Sequence, residues 1–451
     1  MRSELYKLDR GLETGNSRSE GLPAAYKRTE WGVIPNDWSV FSIGELFDFH
    51  STASNSRADL GDSGKTAYVH YGDIHTRFNH FIDFSRDNVP FLLPGKSVTA
   101  NRLRDGDLVV ADASEDEDGV GKSVEIRNLG ATEAISGLHT FLLRPKDKRV
   151  QDGYRAFLLE SGPAKEQLRR LATGLKVFGI SKQSIGVVRA LLPPVREQRA
   201  IADALSDLDR LLAALEALIA KKRAIRLAAL QQLLTGKTRL PGFSGAWEKR
   251  RIGEFTDCVA GGTPSTTIPE YWNGTVRWMN SGELNKKIVN DVEGRITELG
   301  LRESSTKLIP PRCVLVGLAG QGKTRGTVAI NSVELCTNQS IAAIYPNESF
   351  SPKYLYYNLD SRYEELRGMS TGDGGRGGLN LRIIQSIAVP FPHVDEQIAI
   401  SSVLSNVDAE VDSLERCTDK IRSVKHGMMQ HLLDGRVRLV LTIPTKENPA
   451  C

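Results

Sequence analysis

Residues 317–324, Gly317-Leu318-Ala319-Gly320-Gln321-Gly322-Lys323-Thr324, satisfy the pattern GxxxxGK[ST]. Where such a loop opens a helix, its backbone amides and its lysine cradle nucleotide phosphates. An apolar run, Val314-Leu315-Val316, precedes it as that motif requires. The continuation, Arg325-Gly326-Thr327-Val328-Ala329-Ile330-Asn331, is glycine-broken and then β-branched, which predicts a hairpin turn and a strand instead of a helix. A related turn earlier in the chain, Gly119-Val120-Gly121-Lys122-Ser123, lacks the phosphate-loop spacing and also runs into a strand. No apolar strand ends in a plausible metal-binding aspartate. The segment therefore reads as a hairpin offering Gln321, Lys323, Thr324 and Arg325, with Lys122 and Ser123 in the earlier turn. These residue types contact phosphates and base edges.

Other chemistry is thin. The only Pro-Pro pairs, Pro193-Pro194 and Pro310-Pro311, lack the Asn/Asp and aromatic residues that surround a flipped adenine in a methylase. His70, His75 and His80 recur every five residues, which matches neither a helix face nor a strand face, so they read as turn or surface histidines and no metal site is expected. The five cysteines lie far apart without a CxxC pair, as suits a reducing cytoplasm. There is no long apolar run and no secretory leader pattern, so a cytoplasmic location is expected. The 451 residues exceed one core, and 59 Lys+Arg against 55 Asp+Glu leave a net charge of +4, too balanced to name a partner.

The elements that position these residues come from a duplication. Residues 192–240 align without gaps to 391–439, at an offset of 199, with 19 identities in 49 positions. Each copy starts after proline (Pro193-Pro194; Pro392), places acid in its first turn (Glu197-Gln198; Glu396-Gln397) and ends at Leu-Leu followed by Gly236 or Gly435. That is the signature of a capped helix. Apolar residues recur at three-four spacing, Leu205, Leu208, Leu212, Leu215 and Ile219 in the first copy and Leu404, Val407, Val411 and Leu414 in the second, which predicts a coiled-coil seam. An antiparallel pairing of the two helices is expected. A tryptophan and Ile-Gly-Glu precede each globular region: Trp38 with Ile43-Gly44-Glu45, and Trp247 with Ile252-Gly253-Glu254.

The predicted fold class is α+β. Two globular regions of short strands and turns are joined by two long helices in a pseudo-twofold repeat. The expected divisions are 1–28 (extension), 29–190 (first globular region), 191–238 (first helix), 239–390 (second globular region), 391–439 (second helix) and 440–451 (tail). His70 and Tyr71 follow the strand-like TAYV, and Asn280 follows VRWM; all three are candidate nucleic-acid contacts. A glycine-rich loop precedes the last strand of each region, 173–181 and 371–380. Lys176, Ser181 and Lys182 in the first, and Arg376 and Asn380 in the second, are further candidates, since glycine lets backbone approach a phosphate.

Together these features resemble the specificity subunit of type I restriction-modification systems, over roughly residues 25–440. The opening Tyr26-Lys27-Arg28-Thr29-Glu30-Trp31-Gly32-Val33-Ile34-Pro35-Asn36-Asp37-Trp38 is similar to the start of that family's target domains. The Pro-x-x-Glu-Gln start of the first helix, Pro-x-x-x-Glu-Gln in the second, and the Leu-Leu-x-Gly finish of both look like its spacers, and Thr337-Asn338-Gln339-Ser340 looks like a target-domain feature. The resemblance implies a non-catalytic subunit in which each target domain reads half of a split double-stranded DNA site and the helices hold the gap. It implies as partners two methyltransferase subunits docked on the helices, and restriction subunits. S-adenosylmethionine, ATP and Mg would then sit on those partners, with no cofactor in this chain. Glu197, Gln198, Lys221, Lys222, Arg223, Glu396, Gln397, Lys420 and Arg422 are the expected docking residues. A P-loop ATPase, a protein scaffold without sequence reading, and a type IIB-like specificity subunit are the competing readings.

Overall fold

The computed structural model describes residues 24–96, 99–320, 324–369 and 378–439. The chain forms two compact units, Met1–Ala214 with Thr418–Cys451, and Leu215–Cys417. The strands Tyr26–Thr29, Arg189–Leu192 and Ala388–Phe391 run across the expected divisions at 28/29, 190/191 and 390/391, and the compact units divide each long helix between them.

The principal strands of the first unit, in chain order, are β1 (Phe47–His50), β2 (Thr66–Val69), β3 (His80–Asp83), β4 (Leu108–Ala111), β5 (Ser123–Arg127), β6 (Glu133–Ser136) and β7 (Thr140–Pro145). The long helix α1 follows at Val195–Leu233. The second unit repeats the plan with β8 (Cys258–Ala260), β9 (Trp272–Met279), β10 (Ile288–Val289), β11 (Val314–Gly317), β12 (Val328–Asn331), β13 (Leu335–Thr337) and β14 (Ile341–Ile344), and ends in α2 at Val394–Leu432. The five-stranded sheet has the order β1-β7-β4-β5-β3 in the first unit and β8-β14-β11-β12-β10 in the second. Each is antiparallel except for its last pair, β5 with β3 and β12 with β10, which is parallel. A second parallel pair, β6 with β2 or β13 with β9, belongs to a smaller four-stranded sheet.

Period-two alternation explains why the central strands are apolar throughout. Leu108 and Val110 enter the core shared with the long helices, while Val109 and Ala111 enter a separate core on the other face. In the second unit Val314 and Val316 take one side and Leu315 the other. A sheet covered on both faces needs apolar residues at every position. Val314–Val316 pair antiparallel with Val328–Ile330, so a strand and not a helix follows the phosphate-loop-like sequence.

Both long helices have 39 residues, about 58 Å of rise. Their halves pair antiparallel within each unit. In the first, Asp209 of α1 bonds Lys425 of α2; in the second, Arg226 bonds Asp408, and Lys222 bonds Glu410. Leu205, Leu212 and Ile219 are buried at seven-residue spacing, as are Leu404, Val411, Thr418, Lys425 and Leu432. This is the expected heptad seam, with polar residues at three of its positions, Arg226, Thr418 and Lys425. The glycines after the helices, Gly236 (φ 72°) and Gly435 (φ 71°), adopt the left-handed cap conformation. A Cβ on Gly435 would stand 2.6 Å from Pro35 Cδ.

The first-turn acids have a role other than docking. Glu197 is 4% exposed; its carboxylate accepts from Trp38 Nε1 (2.9 Å) and from the Arg438 fork (2.7 and 2.8 Å). Glu396 is 1% exposed and accepts from Trp247 Nε1 (3.1 Å) and the Arg239 fork (2.6 and 2.7 Å). Beside them Gln198 accepts from the Gln151 amide (2.9 Å) and donates to Pro193 O (2.8 Å). Gln397 accepts from the Ser351 amide (2.9 Å) and donates to Pro392 O (2.8 Å). These four residues are corrected from docking surface to internal clamp, because all are buried and their polar atoms are engaged within their own unit. Removing the arginine strands a buried carboxylate. Arg438→Ala and Arg239→Ala are each expected to cost about 3–5 kcal/mol, read from the urea-unfolding free energy; losses under about 1 kcal/mol, the scale of an exposed pair, would contradict the clamp.

Candidate nucleic-acid interface

At one end of each unit four chain segments are stitched together by three equivalent backbone hydrogen bonds. In the first unit Gly137 N donates to Val69 O (2.9 Å), Asp112 N to His139 O (3.1 Å) and Ile180 N to Asp112 O (2.9 Å). In the second Asn338 N donates to Met279 O (3.0 Å), Leu318 N to Ser340 O (2.7 Å) and Leu379 N to Leu318 O (2.8 Å). The residues after β2, the β4 end, the β6–β7 turn and the glycine-rich loop therefore converge, and so do Met279, Leu318, residues 338–340 and Leu379 in the second unit. This brings candidates distant in sequence to one face.

Local caps fix the side chains. His70 Nδ1 accepts from Gly72 N (3.1 Å) to start the helix Tyr71–Thr76, and Asn280 Oδ1 accepts from Gly282 N (2.8 Å) to start the turn Ser281–Lys286. Ser181 and Asn380 cap the helices at Lys182–Val187 and Leu381–Ser386 in the same way. Asn280, Ser181, Lys182, Lys176 and Asn380 remain exposed. The Lys182 ammonium lies 5.3 Å from the Phe49 ring centroid.

In the first unit Tyr71 is packed between His70 (4.7 Å) and His139 (5.3 Å). His139 Nδ1 sits 3.2 Å from Asp112 Oδ1. Burial raises the Asp112 pKa above the usual carboxylate range, though His139 opposes this. The result is an aromatic surface beside a half-buried acceptor, suited to bases that present an amino group. The adjoining hairpin exposes Glu115, Asp116, Glu117 and Asp118. Lys176 and Lys182 are exposed cations on the converging glycine-rich loop and the helix after it. The second unit presents amides and hydroxyls instead: Thr263 Oγ1 donates to Gln339 Oε1 (2.5 Å), beside Asn280 and Asn338.

Several candidates move. Ser123 is 2% exposed at the start of β5, His70 is 7% exposed and Arg325 is 9% exposed, so none of the three is offered to DNA. Lys122 is drawn inward, where Nζ donates to His75 O (3.0 Å) and burial depresses its pKa. Thr324 is half-buried, its hydroxyl donating to Ala319 O (3.3 Å). Gln321, Lys323 and Arg376 lie outside the described residues. On the helices Lys222 bonds Glu410, and Arg223 bonds Glu415 (2.7 Å), so these cations serve the helix pair as well as the surface. Lys221 and Lys420 are exposed; Arg422 donates to Asp419 (3.2 Å). Asp112, His139 and Thr263 escaped the sequence reading because they are ordinary turn residues; their signal was position, next to paired strands in both repeats. Among the described residues there is no group of three or more His, Cys, Asp or Glu able to hold a metal ion, and no helix long and apolar enough to cross a membrane.

Two copies of one α+β unit, each ending in a long helix, define a duplicated recognition protein. The family described as the type I restriction modification DNA specificity domain matches residues 35–222 and again 245–423, and the chain belongs to that family. A type I restriction enzyme specificity subunit of Methanocaldococcus jannaschii, MjaX, is 23% identical over 428 residues, 92% of this chain and 97% of the relative. The EcoR124I/EcoR124II specificity subunit of Escherichia coli is 29% identical over 173 residues, 38% of this chain and 43% of the relative. The solved S subunit of a type I restriction-modification system from M. genitalium shares the fold, with a TM-score of 0.57 at 16% identity, covering 93% of this chain and 99% of that one.

The His70 cap gives a pH signature. Burial, with Arg57 nearby, holds its pKa below the ordinary 6.5, so the folded chain binds the proton less readily than the unfolded one. Its contribution is complete above about pH 6.5 and is lost as pH falls through the depressed value. His70→Asn, which installs the residue used at Asn280, is expected to keep the cap while flattening the fall in thermal midpoint as pH drops below about 6.5. An unchanged pH profile would contradict the neutral-cap assignment.

Proposed function

We propose that this chain is the DNA-sequence specificity subunit of a type I restriction-modification complex, each unit reading one half of a split site. The observation that carries the reading is the specificity domain present twice, joined to a duplicated end face with different chemistry in each unit. Different chemistry at equivalent positions fits two different half-sites: an acceptor flanked by aromatics in one, amides in the other. The chain is a recognition subunit without catalysis of its own. Two methyltransferase subunits and the restriction subunits are its partners, and they carry the S-adenosylmethionine, ATP and Mg chemistry. The exposed cations Lys221, Lys420 and Arg422 are proposed for the methyltransferase dock, with Arg223 at its edge. Lys176, Lys182, Tyr71, Asn280 and Asn380 are proposed DNA contacts.

The paired helices set the gap between half-sites. A heptad inserted in both, between Leu212 and Ile219 and between Val411 and Thr418, preserves the seam and the Asp209–Lys425 and Asp408–Arg226 pairs. Seven residues add about 10 Å, close to three base pairs at about 3.4 Å each. Mapping methylated bases genome-wide in cells carrying the insertion is expected to return both half-sites unchanged with the gap longer by about three base pairs. An unchanged gap, or altered half-sites, would refute the spacer role. Absence of any bipartite motif dependent on the wild-type gene would refute the specificity reading.

A further inference from the structure

In the second unit β14 begins at the 338–340 turn of the candidate interface and ends, at the opposite end of the sheet, on an open cleft of about 410 Å³ lined by Gly253, Glu254, Phe255, Asp257, Tyr345 and Asn347. Two carboxylates rim it. Glu254 accepts from the Arg251 backbone amide (2.9 Å). Among the described residues neither Glu254 nor Asp257 has an ion-pair partner, Arg251 included.

The first unit shows what fits such a place. Phe49 lies opposite Leu143 as Cys258 lies opposite Ile344. Counting from these pairs, Gly44, Glu45 and Asp48 correspond to Gly253, Glu254 and Asp257, and Lys146 corresponds to Asn347. There the space is filled by cations. Lys146 Nζ donates to Gly44 O (2.6 Å) and lies 3.7 Å from Asp48. Arg149 donates to Glu45 O (3.0 Å) and stacks over Phe41, and Arg189 bonds the Glu45 carboxylate (3.1 Å). The second unit retains the acids and has lost the cations. Asn347 donates to Phe255 O (2.7 Å) and accepts from the Ser349 amide (2.9 Å) and hydroxyl (2.6 Å), bringing no charge to either acid; Ala388 stands where Arg189 does, and no Lys or Arg follows Asn347 before Lys353.

We propose that this cleft receives a lysine or arginine side chain of a protein partner, which supplies in trans the charge that Lys146 supplies within the first unit. Its place at the opposite end of the sheet from the candidate interface lets the partner bind while that interface holds DNA. Naming the partner rests on the specificity-subunit reading, which makes it a methyltransferase subunit of the same system.

The test uses the full chain titrated with its own methyltransferase subunits. Asn347→Lys installs the plug that the first unit already tolerates, and Glu254→Gln with Asp257→Asn removes the acids. Both are expected to weaken assembly about tenfold and to flatten its salt dependence, with thermal midpoint and DNA sequence preference unchanged. Wild-type affinity and salt dependence in both variants would overturn the proposal. So would normal assembly of Asn347→Lys alone, since a plugged cleft cannot take a second cation. If the wild-type chain fails to assemble with these subunits at all, it is the specificity-subunit reading that falls.

Discussion

At the first turn of each long helix a buried glutamate receives two hydrogen bonds from an arginine fork and one from a tryptophan indole. The arrangement joins three distant stretches of sequence: Trp38, Glu197 and Arg438 in one unit, Trp247, Glu396 and Arg239 in the other. A carboxylate this deeply buried is tolerable only while its fork and indole stay in place. The clamp therefore ties the start of one long helix, the stretch after the end of a long helix, and the entry to the globular region into a single cooperative object. The adjacent Gln198 and Gln397 extend the tie by bonding backbone that would otherwise lose its partners on burial. Displacing either helix would break the clamp and uncover the core residues Ile201, Leu205 and Leu432, or Leu233, Ile400 and Leu404.

Register along the helix pair is set by charge. An apolar seam alone tolerates sliding, whereas a polar residue at a seam position is satisfied in one alignment only. Lys425 is 6% exposed and meets Asp209 with His80 beside it; Arg226 meets Asp408, which also accepts from Tyr357 Oη (2.7 Å). The two pairs occupy equivalent positions in the repeat. A fixed register is what a spacer between two reading heads requires, because a slip by one turn would change the gap.

Much of this was legible in the sequence because it is periodic or repeated. The heptads, the proline starts, the Gly236 and Gly435 caps and the duplicated α+β plan follow from spacing alone. The hairpin replacing a phosphate loop followed from the β-branched run at 327–330. The side-chain roles were less legible. Glu197 and Glu396 look like ordinary first-turn acids, and nothing local announces that Arg438 and Arg239 reach them. Ser123 and Arg325 follow glycine turns and resemble loop tips, yet the strands they open are covered on both faces. Asp112 with His139, and Thr263 with Gln339, meet only through strand pairing over tens of residues, a relation that no local pattern encodes.

Two units of one plan, each with its own end-face chemistry, are proposed to read the two halves of a site independently. The most direct measurement is selection of bound duplexes from a randomised DNA library by the assembled complex, comparing wild type with Gln339→Ala. Gln339 is exposed on the end face of the second unit with its Oε1 held by Thr263, leaving its amide N–H groups to meet a base, and a base contact of this kind is worth about 1–3 kcal/mol of discrimination. Preference at one position of one half-site is expected to relax by about ten- to a hundredfold, with the other half-site and the gap unchanged. Equal loss of preference in both halves, or none in either, would contradict it.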